Sequence, residues 1–459
     1  MEEIDLTKKR KIHFIGIGGI SMSAIAKILL HQGYIVSGSD FKENEILDEL
    51  RSLGATIYVG HRPVNVAPDT DLVVYTAAIH PDNPEMLRAG ELGIPIKSRA
   101  EFLGGLMKDY RSAVCVAGTH GKTTTTSLLA RVLIDAETDP TITIGGNVPF
   151  LNGTLRIGSK DMFLAEACEY TNSFLSFAPT LAVILNVKAD HLDFFKDLDD
   201  IRASFKQFAD LLPASGTLVI NGEIEDLSYF TDDLKADFVT FGLADNLDYS
   251  AQNISYDEFA CPSFDILKKG TPIGHAALHI PGEHNIYNTL AAVAAADSLG
   301  ISPEISVPAV NSFSGVNRRF EKKGVVGGVE IIDDYAHHPD EIRATLSAAQ
   351  KYPHKKLWCV FQPHTYTRTK LLLDEFADSL SAADAIVLAD IYAAREKNTL
   401  GISSADLADK IRAMGKEVYY YPTFDDIENF LLENLVNGDV LITMGAGDVV
   451  NIGEKLLGK

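Results

Sequence analysis

The sequence predicts an α/β protein made of three successive doubly wound blocks, for three reasons. At 459 residues the chain is too long for one compact core and of a length for about three domains. Short apolar runs of strand length alternate with helical segments from end to end, the rhythm of parallel sheets. Glycine-bounded turns sit between a strand and a helix at 16–21 and again at 118–123, where such sheets bind phosphates.

The first block, 1–108, opens with a strand at 11–16, a helix at 21–32 and a second strand at 34–37, with further strands at 56–59 and 72–76. Its first turn, Gly16-Ile17-Gly18-Gly19-Ile20-Ser21, is close to G-x-G-x-x-G, with Ser21 in the third glycine place. Asp40 follows the second strand, where an acid can accept from a ribose hydroxyl. This turn fits a nucleotide diphosphate as well as NAD, and a plain tight turn reads the same way.

The second block, 109–320, carries the most informative run. A strand at 113–117 leads into Gly118-Thr119-His120-Gly121-Lys122-Thr123, and Thr124, Thr125 and Thr126 continue into a helix. A P-loop reads G-x-x-x-x-G-K-[ST], and this shorter form keeps its Gly-Lys-Thr end. Turn amides and the positive helix end face an anion, Lys122 supplies a cation for the outer phosphates, and the Thr123 hydroxyl is placed for magnesium. The alternative is a glycine turn with an ordinary surface lysine, which leaves the poor helix formers after it without a role. Strands at 162–165 and 181–186 are near-continuous apolar runs of the buried parallel type, and a helix at 284–299 closes the block. The Asp-rich stretch 232–263 is expected to be a strand-and-loop excursion.

The third block, 321–459, has strand-like runs at 329–332, 357–361, 385–388, 418–420 and 440–443. Its Gly445-Ala446-Gly447-Asp448 segment is expected to be a strand-to-helix turn with Asp448 near the helix start.

Composition excludes several function classes. The net charge of −22 opposes non-specific nucleic-acid binding and requires local cations wherever phosphates are held. Four separated cysteines form no C-x-x-C pair, which fits reduced thiols in a cytoplasmic enzyme. The basic run 8–11 precedes a first strand and helix rather than a signal peptide, and no membrane partner is expected.

Polar clusters end the strands after the phosphate loop. Glu166-Ala167-Cys168-Glu169 ends one, and Asn186-Val187-Lys188-Ala189-Asp190-His191 ends the next. Ligands gather at the carboxyl ends of parallel strands, so Glu166 and His191 are the candidate pair for a second magnesium, although imidazole is an unusual magnesium ligand. Adjacent Arg318 and Arg319 stand at the junction of blocks two and three.

In order, Gly118-Thr119-His120-Gly121-Lys122-Thr123, the Asn186 to His191 cluster, the His284-Asn285-Ile286-Tyr287-Asn288 helix start, Gly315-Val316-Asn317-Arg318-Arg319-Phe320-Glu321 and Asp334-Tyr335-Ala336-His337-His338-Pro339 resemble the motifs of the Mur ligases over the whole chain. That resemblance implies a Rossmann-like N-terminal domain, a central P-loop ATP-binding α/β domain and a C-terminal Rossmann-like α/β domain. It implies the member that joins L-alanine to UDP-N-acetylmuramate, with ATP as co-substrate and magnesium as cofactor, in a monomer or weak dimer. Gly16, Gly18, Gly19, Ile20, Ser39 and Asp40 would meet the uridine diphosphate. Gly118, Thr119, His120, Gly121, Lys122, Thr123, Thr124, His284, Asn285, Asn288 and Arg318 would meet ATP. Thr123, Glu166 and His191 would meet magnesium, and Tyr335, His337 and Arg368 the alanine. Lys122, His191 and Arg318 would carry catalysis. Thr365 stands where many relatives have arginine, and Cys168 where many have aspartate. A murein peptide ligase, which joins recycled tripeptide to the same nucleotide sugar, is the near alternative. An NAD-dependent oxidoreductase is the remote one and leaves Gly-Lys-Thr unexplained.

Overall fold

The computed structural model describes residues 10–394 and 396–459, so the first part of the 8–11 basic run lies outside the described residues. Three sheets organise the described residues. The N-terminal sheet has five strands, ordered Thr56–Val59, Ile35–Asp40, Lys11–Ile15, Leu72–Tyr75 and Ile96–Ser98, all parallel. Asp40 is therefore the last residue of a strand rather than a residue beyond it. The small Ser37, Gly38 and Ser39 continue the pairing through to Ser39 beside Ile15.

The central sheet has ten strands. Ser112–Ala117 lies between Met162–Glu166 and Leu181–Ile184, with Val116 beside Glu166 and Ala117 beside Ile184. Its near-continuous apolar run is explained by burial on both faces. Ala113, Cys115 and Ala117 enter one core, while Val114 and Val116 enter the other. The Asp-rich excursion proves to be sheet. Asp237–Phe241 adds a parallel strand, and Tyr249–Tyr256, Pro262–Lys268 and Thr271–Ala277 carry the sheet on, the last two pairing antiparallel. In Pro262–Lys268 the residues Pro262, Phe264 and Ile266 are buried while Ser263 and Asp265 between them remain partly exposed, so a polar composition hid a half-buried period.

The C-terminal sheet orders Glu321–Val326, Val329–Asp334, Val440–Met444, Leu357–Phe361, Ala385–Leu388 and Glu417–Tyr420. The first strand pairs antiparallel as an edge, and the rest are parallel. Gly445 to Asp448 leads into the helix Val450–Leu456, as the sequence suggests. The cysteines Cys115, Cys168, Cys261 and Cys359 are free thiols.

The N-terminal domain packs on the central one through the helix Arg99–Met107, where Gly104 lies against the Ser176 backbone. A Cβ at Gly104 would overlap the Ser176 carbonyl oxygen. Gly104→Ala is therefore expected to cost about 1–3 kcal/mol through overpacking, read as a lower urea midpoint. Gly105→Ala, facing open space, is the matched control.

Candidate active site

The register of the central strands sets the site. Parallel neighbours end together, so Gly118, the end of the Glu166 strand and Asn186 share one rim of the sheet. The Thr119 N–H donates to the Asn186 carbonyl at 3.1 Å. The Asn186 side chain then locks His120, accepting from His120 N at 2.9 Å and donating to His120 O at 3.0 Å. Gly121 begins the helix Lys122–Asp135 in a left-handed conformation, φ +85°, and a Cβ there would come within 2.5 Å of Asn288 Oδ1. Both the conformation and the close approach require glycine.

Lys122 folds back over the turn. Its Nζ donates to Gly118 O at 2.5 Å and Thr119 O at 3.0 Å, and it pairs with Glu169 Oε2 at 3.0 Å. Burial alone would lower the Lys122 pKa, but the Glu169 carboxylate outweighs it, with help from Cys168 and Glu166, and holds the ammonium well above its ordinary range. Glu169, quoted with its cluster but given no part in the chemistry, is thus the counter-ion that keeps Lys122 charged and ready.

Thr123 Oγ1 donates to Glu166 Oε2 at 3.3 Å, and Gly145 N donates to Glu166 Oε1 at 2.8 Å. Burial raises the Glu166 pKa, against the pull of Gly145 N, Lys122 and Thr123. A hydroxyl beside a carboxylate is a hard-oxygen pair of the kind magnesium takes, so these two residues fit that ion. His191 is placed differently. It has left-handed φ +53°, its ring stacks on Tyr170 at 4.5 Å, and its Nε2 is 3.8 Å from Asp190 Oδ2. Among the described residues no hydrogen bond or ion pair joins Glu166 to His191.

The structure parts the two arginines of the junction. Arg318 has φ +62°, and its guanidinium is spent within the C-terminal domain. Its Nε meets Asp333 Oδ2 at 2.9 Å, and its two terminal nitrogens donate to Gly447 O at 3.0 Å and Gly445 O at 2.8 Å. The cavity arginine is Arg319. It helps line a space of about 610 Å³ together with His120, Thr123, Thr124, His284 and Asn288. Arg318 is therefore not among the residues that line this cavity; with a left-handed backbone its side chain lies on the strand ends of its own domain. Asn285 and Asn288 border the cavity and also bind each other, with Asn288 Nδ2 donating to Asn285 Oδ1 at 2.9 Å and Thr125 Oγ1 donating to Asn288 Oδ1 at 3.2 Å. His284 lies on the same wall.

Tyr335 carries a guanidinium on its ring from each arginine, at 5.0 Å from Arg318 and 5.2 Å from Arg319. Its ring meets that of His337 at 5.4 Å, and His337 meets His364 at 5.9 Å. Arg368 donates to His364 Nδ1 at 3.3 Å and to Asp190 Oδ1 at 3.2 Å, bridging the C-terminal and central domains. The suggested alanine-side residues Tyr335, His337 and Arg368 thus form one continuous group, to which the structure adds His364 and Asp190. Thr365, φ +66°, caps the helix Tyr366–Leu371.

His364 carries a pH prediction. Burial, then the neighbouring His337 and Arg368, push its pKa from 6.5 down to about 4. The unfolded chain takes up the proton first, so this contribution to stability is full above pH 6.5 and is lost as the pH falls towards 4. At pH 5 the loss is on the order of 1–2 kcal/mol. Urea midpoints at pH 7 and pH 5 should differ by less in His364→Gln than in the wild type.

In the N-terminal domain Gly18 N donates to Asp40 Oδ2 at 2.8 Å, so the Asp40 carboxylate closes the glycine turn. The Ser39 hydroxyl donates to the buried Glu85 at 2.6 Å and lies 2.9 Å from His61 Nδ1. Gly16 and Gly19 shape the same turn, through Gly19 N donating to Gly16 O, and Ile20 is exposed at the start of its helix. Arg99, unremarked in the sequence, donates to Ser21 Oγ at 2.9 Å, and burial lowers its pKa. No short motif marks it.

Three family models match the chain. The Mur ligase family, catalytic domain, matches residues 11–111, the Mur ligase middle domain matches 116–296, and the Mur ligase, glutamate ligase domain matches 318–447. A UDP-N-acetylmuramate–L-alanine ligase of Lachnospira eligens is 56% identical over 459 residues, covering 100% of both chains. A solved UDP-N-acetylmuramate–alanine ligase from Thermotoga maritima is similar at TM-score 0.81 and 32% identity over 98% of both chains. A solved murein peptide ligase from Psychrobacter arcticus 273-4 is similar at TM-score 0.71 and 26% identity over 98% of both chains.

Proposed function

The chain belongs to the Mur ligase family, and on that premise we propose that it is an ATP-dependent ligase joining L-alanine to the carboxylate of UDP-N-acetylmuramate in peptidoglycan precursor synthesis. The observation that carries the substrate assignment is identity of 56% over the full length with a ligase of that name. The blocks 1–108, 109–320 and 321–459 would receive the nucleotide sugar, ATP and alanine in turn, and the chain would work as a monomer or weak dimer. No described helix is long and apolar enough to cross a membrane.

A carboxylate is a poor electrophile, so it is activated first. The γ-phosphoryl of ATP passes to the sugar-borne carboxylate, giving an acyl phosphate and ADP. The amine of alanine attacks the acyl carbon, and phosphate leaves. Lys122, held charged by Glu169, offsets the charge that builds between two anions, and the turn amides hold the phosphates in line. Thr123 and Glu166 would hold magnesium, which when bound supplies further neutralisation of phosphate charge. Arg319, at the cavity wall, is the arginine positioned to reach the phosphates. Neutral His364 accepts from Arg368 and orients it beside the amine site. Bringing three reactants together supplies much of the rate, so closure of the domains accompanies turnover.

The likeness to a murein peptide ligase keeps one rival, which differs in the amine it accepts. Phosphate release with ATP, UDP-N-acetylmuramate and a panel of amines decides between them. Release with L-alanine and little with the tripeptide is expected. The reverse preference would replace this reading with the rival, and release requiring neither would sink both.

A further inference from the structure

We propose that His120, His338 and Asp340 form a binding site for a late first-row transition ion of the zinc class, clamping the phosphate loop to the C-terminal domain. Among the described residues these three are the group of His, Cys, Asp or Glu side chains whose ligand atoms all lie within 4.8 Å of one another. His120 belongs to the glycine turn of the central domain, while His338 and Asp340 flank Pro339 at the start of the helix Pro339–Lys351. The two imidazole centroids are 5.1 Å apart, and His120 Nε2 is 3.9 Å from Asp340 Oδ2.

The nitrogens themselves point to a ligand. Nε2 of His120 and Nε2 of His338 are shut off from solvent and make no hydrogen bond, and Nδ1 of His120, equally enclosed, has only the Glu341 carboxylate 3.4 Å away. His338 as a whole is 5% exposed. A buried polar atom left unpaired costs about 1–3 kcal/mol, and several around one point make a donor set without an acceptor. An ion between them satisfies His120 Nε2, His338 Nε2 and Asp340 together. Glu341 Oε1, 3.4 Å from His120 Nδ1, stands where it can take the proton on that nitrogen and leave Nε2 free to ligate. His338 Nδ1 receives the Asp340 N–H at 3.3 Å, a long contact that gives way when Nδ1 carries the proton and Nε2 the ion.

The donor set selects the ion. Two imidazoles and a carboxylate suit zinc with a fourth position open, whereas magnesium prefers oxygen donors such as Thr123 and Glu166. Because the ligands come from two domains, the bound ion ties them together and slows any step that needs them to part.

Calorimetric titration of the full chain with zinc, in excess magnesium and without nucleotide or sugar, tests the site independently of the ligase reaction. One saturable ion per chain is expected, and cobalt in its place should give the visible absorption of a four-coordinate centre. Glu341→Gln should weaken binding about 10–100-fold, as outer partners do, and His338→Gln and Asp340→Asn by more. Asp340 is half-exposed, so its variant keeps the fold, which circular dichroism checks. Equal affinity in the wild type, His338→Gln and Asp340→Asn overturns the proposal. So does binding that survives both and disappears only in Glu166→Gln.

Discussion

Lys122→Ala is expected to lose product formation by at least about 10²–10³-fold in kcat, because it removes a preorganised cation from the place where phosphoryl charge develops. The structure adds a second consequence. The Glu169 side chain is 2% exposed and has Lys122 as its ion-pair partner, so removing the ammonium leaves a buried carboxylate unpaired. That costs about 3–5 kcal/mol and would by itself lower activity through unfolding. The double variant Lys122→Ala with Glu169→Gln separates the two effects. Its denaturation midpoint should return most of the way to that of the wild type, while phosphate release stays low. Recovery of turnover along with stability would mean that Lys122 acts only as a structural partner.

The second large effect concerns neighbours in sequence. Arg318→Ala should destabilise the C-terminal domain by about 3–5 kcal/mol, since fully buried Asp333 would keep only the Thr443 hydroxyl, at 2.7 Å. Burial already pushes the Asp333 pKa up against Arg318, so its carboxylate depends on the guanidinium. Lysine cannot replace it, because one ammonium cannot reach Asp333, Gly445 O and Gly447 O in the fork geometry used here. Arg319→Ala should keep the fold and lose phosphate release. Thermal unfolding and turnover of both variants check this, and the opposite pattern would return the catalytic role to Arg318.

The strand, glycine turn and helix around Lys122 were legible because their signal is local. A glycine turn, a lysine and a threonine after an apolar strand need no distant partner to be recognised, and burial of that strand on both faces leaves a continuous apolar run. The roles of Arg318 and Arg319 were not legible. Adjacent side chains diverge through a left-handed backbone at Arg318, and nothing in Asn317-Arg318-Arg319-Phe320 signals that conformation. Glu169 was visible as an acid but not as the partner of Lys122, a pairing 47 residues long that only the sheet register creates. Asp40 was expected beyond a strand and found at its end, bound to Gly18 N, because small polar residues can pair in a sheet without any apolar signature. The antiparallel extension past Tyr249 was hidden because its strands carry little continuous apolar sequence: Gln252 to Ser255 are exposed, and Ser263 and Asp265 interrupt the buried Pro262, Phe264 and Ile266.

The central claim is that ATP activates the sugar-borne carboxylate by phosphoryl transfer before the amine attacks. UDP-N-acetylmuramate labelled with oxygen-18 in its carboxylate tests this most directly, with mass analysis of the phosphate released during turnover with L-alanine. Phosphate carrying one labelled oxygen is the predicted result, since the oxygen bridging acyl carbon and phosphorus departs with phosphorus. Phosphate free of label, released in step with the amide product, would contradict it.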